Sequence, residues 1–262
     1  MIKKSSEKQP LIFSVLTIIL AEALLGACLF LFQPFRLYQY NFITVVSYLI
    51  PLIFVLLIIF ALKLFPQLRF SARGLRKGLF LGWLFILIGL VSLITGFNFS
   101  KLNSIASKSW AMLLPFSAVM LLNAMIEEFL FRGIMLNLLL KKWNTIKKAV
   151  IVSALIFGAA HMIQLISTPS RPMGIILTIM LAFGSGVYFA AIYIRSKNIW
   201  AVVLLHAIFD WLSNVPGVLT QPAGEIADIS LGNAIINIAL AVLFFSMGLF
   251  LLRKKKIDIP AQ

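Results

Sequence analysis

The sequence predicts an all-α fold, a polytopic transmembrane bundle of about eight helices, and three observations carry that prediction. Hydrophobic residues make up 61% of the 262 positions and charged residues only 12%, against about 25% charged in a soluble domain; the mean hydropathy is +1.04. The apolar residues fall in runs of about 20, the length an α-helix needs to cross the hydrocarbon core. The basic residues fall between those runs and alternate between heavily and sparsely charged loops.

The first span is expected at 11–32. Lys3, Lys4 and the segment Leu25-Gly26-Ala27-Cys28 resemble a lipoprotein signal with its acceptor cysteine. Glu22 interrupts the apolar run, however, and Leu29 to Phe32 continue it, so the segment reads as a first membrane helix. Cys28 is the single cysteine, which excludes an intrachain disulfide and a cysteine-rich metal site. The second span is expected at 43–65. The third, at 78–97, carries Gly74, Gly78 and Gly82 at four-residue spacing, a small-residue stripe that lets another helix approach closely. The fourth run, 109–140, is too long for one straight crossing, and Pro115 is expected to divide an interfacial lead-in from the spanning part. The remaining spans are expected at 147–167, 173–194, 199–219 and 231–252. Gly184-Ser185-Gly186 in the sixth reads as another close-packing site. No internal repeat or long linker divides the chain.

Eighteen of the 23 Lys and Arg residues lie in the N-terminal tail, the even-numbered loops and the C-terminal tail, and four (Arg36, Lys101, Lys108, Arg171) on the opposite side. The positive-inside rule then places both termini in the cytoplasm. The net charge of +15 follows from this loop pattern. A nucleic-acid partner is excluded, because its binder clusters basic residues on one solvent face.

Arg132 is the one basic residue left inside a span, and it has company. Glu127, Glu128, His161, His206 and Asp210 also lie within apolar runs, where an ionisable group at a helix centre costs about 2.5–3.5 kcal/mol on insertion scales. Glu128 lies 13 residues before Lys141, His161 13 after Lys148 and Asp210 13 after Lys197, which sets all three about 20 Å deep in regular helices. Three helices thus bring polar groups to one level. Glu128 and Arg132, at i and i+4, share a face and can pair; so can His206 and Asp210. Glu127 is rotated by about 100° from Glu128 and faces another partner. Phe157, one turn before His161, is expected to wall the pocket. Glu22, alone in the first span, reads as a contact between helices. The other six read together as an intramembrane acid/base site, most simply a peptidase.

Three ordered motifs carry a resemblance to a known family. Glu127-Glu128-Phe-Leu-Phe-Arg132, then Phe157-Gly-Ala-Ala-His161, then His206-Ala-Ile-Phe-Asp210 resemble those of the CPBP intramembrane proteases, also called CAAX-processing or Abi-type proteins, which include the Rce1 prenyl-protein endopeptidases. The resemblance covers about residues 75–215 and includes the Arg73-Gly74-Leu75-Arg76-Lys77-Gly78 run. It implies two membrane helices and a cytoplasmic loop over 1–74, a catalytic core over 75–219, and a last helix with a basic tail over 220–262. Rce1-type members often carry Asn where this chain has Asp210, and an ionised Asp cannot donate a hydrogen bond as Asn can.

By that resemblance Glu127 is the general base that deprotonates a water, with His161 helping to position it. His206 donates to the oxyanion, assisted by residue 210, and Glu128 and Arg132 form a supporting ion pair. Asp210 can also orient His206 across one helical turn. No cofactor is favoured. A divalent metal such as zinc is the alternative, and Glu127, His161 and His206 would be its ligands. The implied partners are the lipid bilayer, a membrane-associated peptide or protein substrate and a membrane regulatory partner; the compact form resembles members from bacterial cell membranes. Two other readings stand beside the protease: a non-catalytic scaffold, acting with a sensor kinase or in bacteriocin immunity, and a proton-coupled transporter, since buried Glu, His and Asp also relay protons.

Overall fold

The structure, a computed structural model, describes residues 2–35, 40–70, 72–97, 110–143, 145–163, 172–220 and 230–253. All its regular elements are helical. Seven helices are long and apolar enough to cross a membrane: α1 (Pro10–Leu31), α2 (Phe42–Ala61), α4 (Leu113–Trp143), α5 (Ile146–Ile163), α6 (Pro172–Ser196), α7 (Ile199–Thr220) and α8 (Leu231–Leu252). The eighth expected span, α3, is a broken pair, Leu75–Leu81 and Trp83–Gly96, bent by 57°. The chain is a multi-pass integral membrane protein.

The break in α3 falls at Gly82, and its close packing explains why glycine is there. A Cβ at Gly78 would run into Ala201, and one at Gly82 into Leu205, both on α7. The glycine stripe therefore seats α3 against α7, as its spacing predicts. Leu81 C=O, at the bend, accepts a hydrogen bond from Tyr188 Oη of α6, so the bend leaves no orphaned carbonyl there.

The long fourth helix departs from expectation. Pro115 is not itself the break: it sits in the first turn of α4, where a missing N–H is harmless. In the lead-in expected before it, Trp110 and Ala111 are helical and Met112 is a turn, so the division falls just ahead of Leu113. The irregularity comes later, as a π-helical stretch Phe129–Leu136 between α-helical Leu113–Glu128 and Asn137–Trp143. Polar side chains accept the altered register. Asn137 Nδ2 donates to Arg132 O (3.0 Å) and Gly133 O (2.9 Å), and Ser153 Oγ donates to Phe131 O (3.2 Å). π-stretches of this kind concentrate at functional sites.

The last turns of α6 and the π stretch of α4 are buried almost without interruption, whereas α1 and α8 expose one apolar flank each. Phe85 of α3 stacks on Phe189 of α6 with centroids 4.1 Å apart and on Phe244 of α8 at 4.5 Å. That aromatic column forms the centre of the bundle, and Phe189 is also part of the site wall. The segments that the charge pattern assigns to one side meet. Glu7 pairs with Lys141 at 2.9 Å, Asn198 Nδ2 donates to Arg73 O at 3.0 Å, and Arg195 Nε donates to Leu251 O at 2.8 Å.

Candidate functional site

Three helices supply the six polar residues singled out from sequence. Glu127 and Glu128 are the last residues of the α-helical part of α4, and Arg132 lies inside the π stretch. His161 is the first residue past the α-helical part of α5, in a 3-10 turn His161–Ile163. His206 and Asp210 lie one turn apart on α7.

Burial sorts the six into two groups. Glu127, His161, His206 and Asp210 line a cavity of about 790 Å³. Glu128 and Arg132 do not line it, and both are wholly buried behind its wall. Arg132 Nη1 pairs with Glu128 Oε1 at 2.9 Å, and Nη2 donates to Gly186 O at 3.2 Å. The guanidinium also stands over the rings of Phe157 (4.6 Å) and Phe189 (5.3 Å), a contact suited to a desolvated cation.

His206 links the two groups. Its Nδ1 donates to Glu128 Oε1 at 2.8 Å. Its Nε2 lies 3.4 Å from Asp210 Oδ2 and 3.7 Å from Glu127 Oε2. Only the first of these has the length of a strong charge-assisted hydrogen bond. Phe189 lies almost parallel to the imidazole, 5.0 Å away, and Phe157 meets it edge-on at 6.1 Å. The short bond, on Nδ1, and the two aromatic walls fix the ring, while Nε2 stays turned to the cavity side.

Glu127 faces away from Arg132, as its 100° offset predicts. Asn123 Nδ2, one turn earlier, donates to Glu127 Oε1 at 2.9 Å. Oε2 accepts no hydrogen bond from the protein. His161 Nδ1 lies 2.9 Å from Phe157 O. A carbonyl only accepts, so Nδ1 carries the proton and Nε2 keeps a lone pair in the neutral ring.

Sequence reasoning missed Asn123 and Phe189. The first had a usable signal, an Asn one turn before a candidate base inside an apolar run; the second had none among many phenylalanines. Glu22 is also misplaced by the reading of it as a helix contact. It lines the cavity from α1, and no described residue pairs with it.

Glu127, His161 and His206, the expected metal trio, line one cavity, and the bonds on Nδ1 of the two rings leave both Nε2 atoms open, but the three are not drawn together as a ligand set. Among the described residues, no group of three or more His, Cys, Asp or Glu side chains is arranged to hold a metal ion. No step below runs through one.

Residues 108–212 match the family model Rce1-like, described as type II CAAX prenyl endopeptidase Rce1-like. All three motifs lie inside that span. Over that span the chain is similar to the CPBP/CAAX proteases. No curated protein and no solved structure matches the chain. The family match starts later than the resemblance expected from residue 75, so α3 lies outside it. α3 nevertheless packs along α7, the helix that carries His206 and Asp210. An element outside the matched span thus braces one wall of the cavity.

Proposed function

We propose that the protein is an intramembrane endopeptidase that hydrolyses a peptide bond of a membrane-associated protein or peptide with a Glu127-activated water. One observation supports this most: Glu127 Oε2 and His206 Nε2 stand 3.7 Å apart on one cavity wall, and neither makes a strong hydrogen bond within the protein. An unused proton acceptor beside an unused donor is what acyl-bond hydrolysis requires.

Glu127 Oε2 takes one proton from a water, and the resulting hydroxide attacks the scissile carbonyl carbon. The oxyanion that forms receives the Nε2–H of His206. Glu128 holds Nδ1 and so fixes which nitrogen points at the substrate, while Arg132 supplies the charge partner of Glu128 in the dry interior. His161 Nε2 accepts the second hydrogen of the water and orients it. When the intermediate collapses, protonated Glu127 gives its proton to the leaving nitrogen and the C–N bond breaks. Asn123 keeps Oε1 engaged, so that Oε2 is the oxygen that acts. Asp210 Oδ2 lies nearest to Nε2, at 3.4 Å, and as a carboxylate it accepts from Nε2–H and does not donate to the oxyanion.

The family description supports a CAAX-type substrate, a protein processed near its C-terminus at the membrane. The test compares peptide termini, by mass spectrometry, in cells with the wild-type gene, without it, and with Glu127→Ala at matched expression. Termini lost in both altered lines support the reading and name the substrate. Identical termini in all three overturn it.

A further inference from the structure

We propose that Glu22 forms a subsite for a cationic group of the substrate, a primary amine or guanidinium, on the wall of the cavity formed by α1; this rests on the endopeptidase reading above. Glu22, Leu25, Gly26 and Leu29 all line the cavity, and their spacing is one face of a helix. At Gly26 a side chain would meet nothing within 4 Å, so this face looks into open space rather than onto another helix. Glu22 is therefore a carboxylate held between leucines, half-buried, with no described residue as partner. Glu22 and Glu127 line the same cavity.

The charge balance of the cavity points to a cation. Among the described residues, Glu22, Glu127 and Asp210 line it and no Lys or Arg does. Arg132 is spent on Glu128 and Gly186 behind the wall, which leaves His161 and His206 as the described lining groups that can carry a positive charge, against three carboxylates. A carboxylate left unpaired in a poorly solvated site is costly, and a ligand cation that pairs with it recovers that cost. Glu127 and Asp210 flank the reacting position at His206 Nε2. Glu22 does not touch that group, so it is free to select a neighbouring part of the substrate. Selection by a charged pair also rejects an isostere that lacks the charge more strongly than an apolar pocket can.

The first test reads binding and needs no turnover. The full chain in liposomes is titrated with dansylcadaverine, a fluorescent alkyl primary amine, and with its neutral N-acetyl derivative. Wild type is expected to bind the amine roughly tenfold more tightly, with the preference lost in Glu22→Gln and kept in Glu22→Asp. Equal binding of the two probes by wild type, or a preference that survives Glu22→Gln, overturns the proposal. The second test uses quenched peptides that differ at one position (Lys, acetyl-lysine or Glu), each with a free or an acetylated N-terminus. A Lys preference in kcat/KM that Glu22→Gln abolishes, with the acetyl-lysine peptide still cleaved, assigns the subsite to a side chain; a preference for the free N-terminus assigns it to the terminal amine. Cleavage by wild type with neither preference overturns the subsite and leaves the protease standing. Amine binding through Glu22 with no Glu127-dependent cleavage of any peptide overturns the protease reading instead.

Discussion

The short contact to His206 comes from Glu128 and not from its neighbour on the same helix: Glu128 Oε1 lies 2.8 Å from Nδ1, whereas Asp210 Oδ2 lies 3.4 Å from Nε2. The i,i+4 spacing of His206 and Asp210 pointed to an orienting pair within one helix. The carboxylate that orients the ring instead arrives from α4, already charge-paired with Arg132. A buried carboxylate on Nδ1 is the device that holds an imidazole with its other nitrogen presented to the reacting group.

That geometry separates two conservative substitutions. Glu128→Gln removes the negative charge that holds Nδ1–H and is expected to lower kcat by about 10²-fold, with little change in KM. Asp210→Asn keeps the shape and adds a donor near the oxyanion, so kcat should stay within about tenfold of wild type. Steady-state turnover of one cleaved peptide by both variants decides the matter, and a larger loss in Asp210→Asn would reverse the two roles.

Arg132 tests stability rather than chemistry. Its removal takes the charge partner from Glu128 in the core and leaves that carboxylate only the Nδ1–H of His206; about 3–5 kcal/mol is the usual cost of breaking a buried pair. Arg132→Ala should therefore lower membrane abundance and the thermal midpoint of the detergent-purified protein. Arg132→Lys should rescue little, because one ammonium cannot reach Glu128 and Gly186 together while covering the Phe157 and Phe189 rings. Normal accumulation of Arg132→Ala would show that the pair does not hold the bundle together.

How much of this was legible follows from what each signal measures. Hydropathy windows report length and apolarity, and so they located α7 and α8 to within a residue. They are blind to backbone register, which is why the bend at Gly82 and the π stretch after Glu128 were missed. Both are stabilised by partners far away in sequence, Tyr188 for Leu81 and Ser153 for Phe131. The depth argument predicted that three helices meet at one level, and Glu127, His161, His206 and Asp210 do line one cavity. It could not divide the six residues into a cavity-lining group and a buried one, because depth along the membrane normal says nothing of direction within the plane. Asn123 and Glu22 were lost for the same reason.

The N-terminal helix Ile2–Lys8 offers a pH test outside the membrane. The Lys141 hydrogen bond and charge hold the Glu7 carboxyl below its ordinary value of 4.5. A lowered folded value means that the contact contributes fully above the ordinary value and is lost as pH falls through the folded one. The protection factors of the Ile2–Lys8 amides, exchange rates corrected for the intrinsic pH dependence, should therefore fall as pH drops below the ordinary value of 4.5, and Lys141→Gln should abolish that dependence. An unchanged pH profile in Lys141→Gln would mean that the ion pair does not dock the helix.

The glycine stripe links packing to the site, because the helix it seats is the one that carries His206 and Asp210. A Cβ at Gly78 would meet Ala201 and Ser196, one at Gly82 would meet Leu205, and one at Gly89 would meet Leu212. Overpacking of this kind costs about 1–3 kcal/mol, and relief by moving α7 outward would shift His206 away from Glu128. Gly78→Val should thus reduce activity more than the accumulated protein accounts for, when turnover is normalised to folded protein. Gly232→Ala is the control: its nearest neighbour is Ser230 Oγ at 3.8 Å, and it lies at the start of α8 on no wall of the cavity, so it should be neutral or slightly stabilising. Equal specific activity in Gly78→Val and wild type would show that α3 supports the fold of the bundle without setting the position of the imidazole.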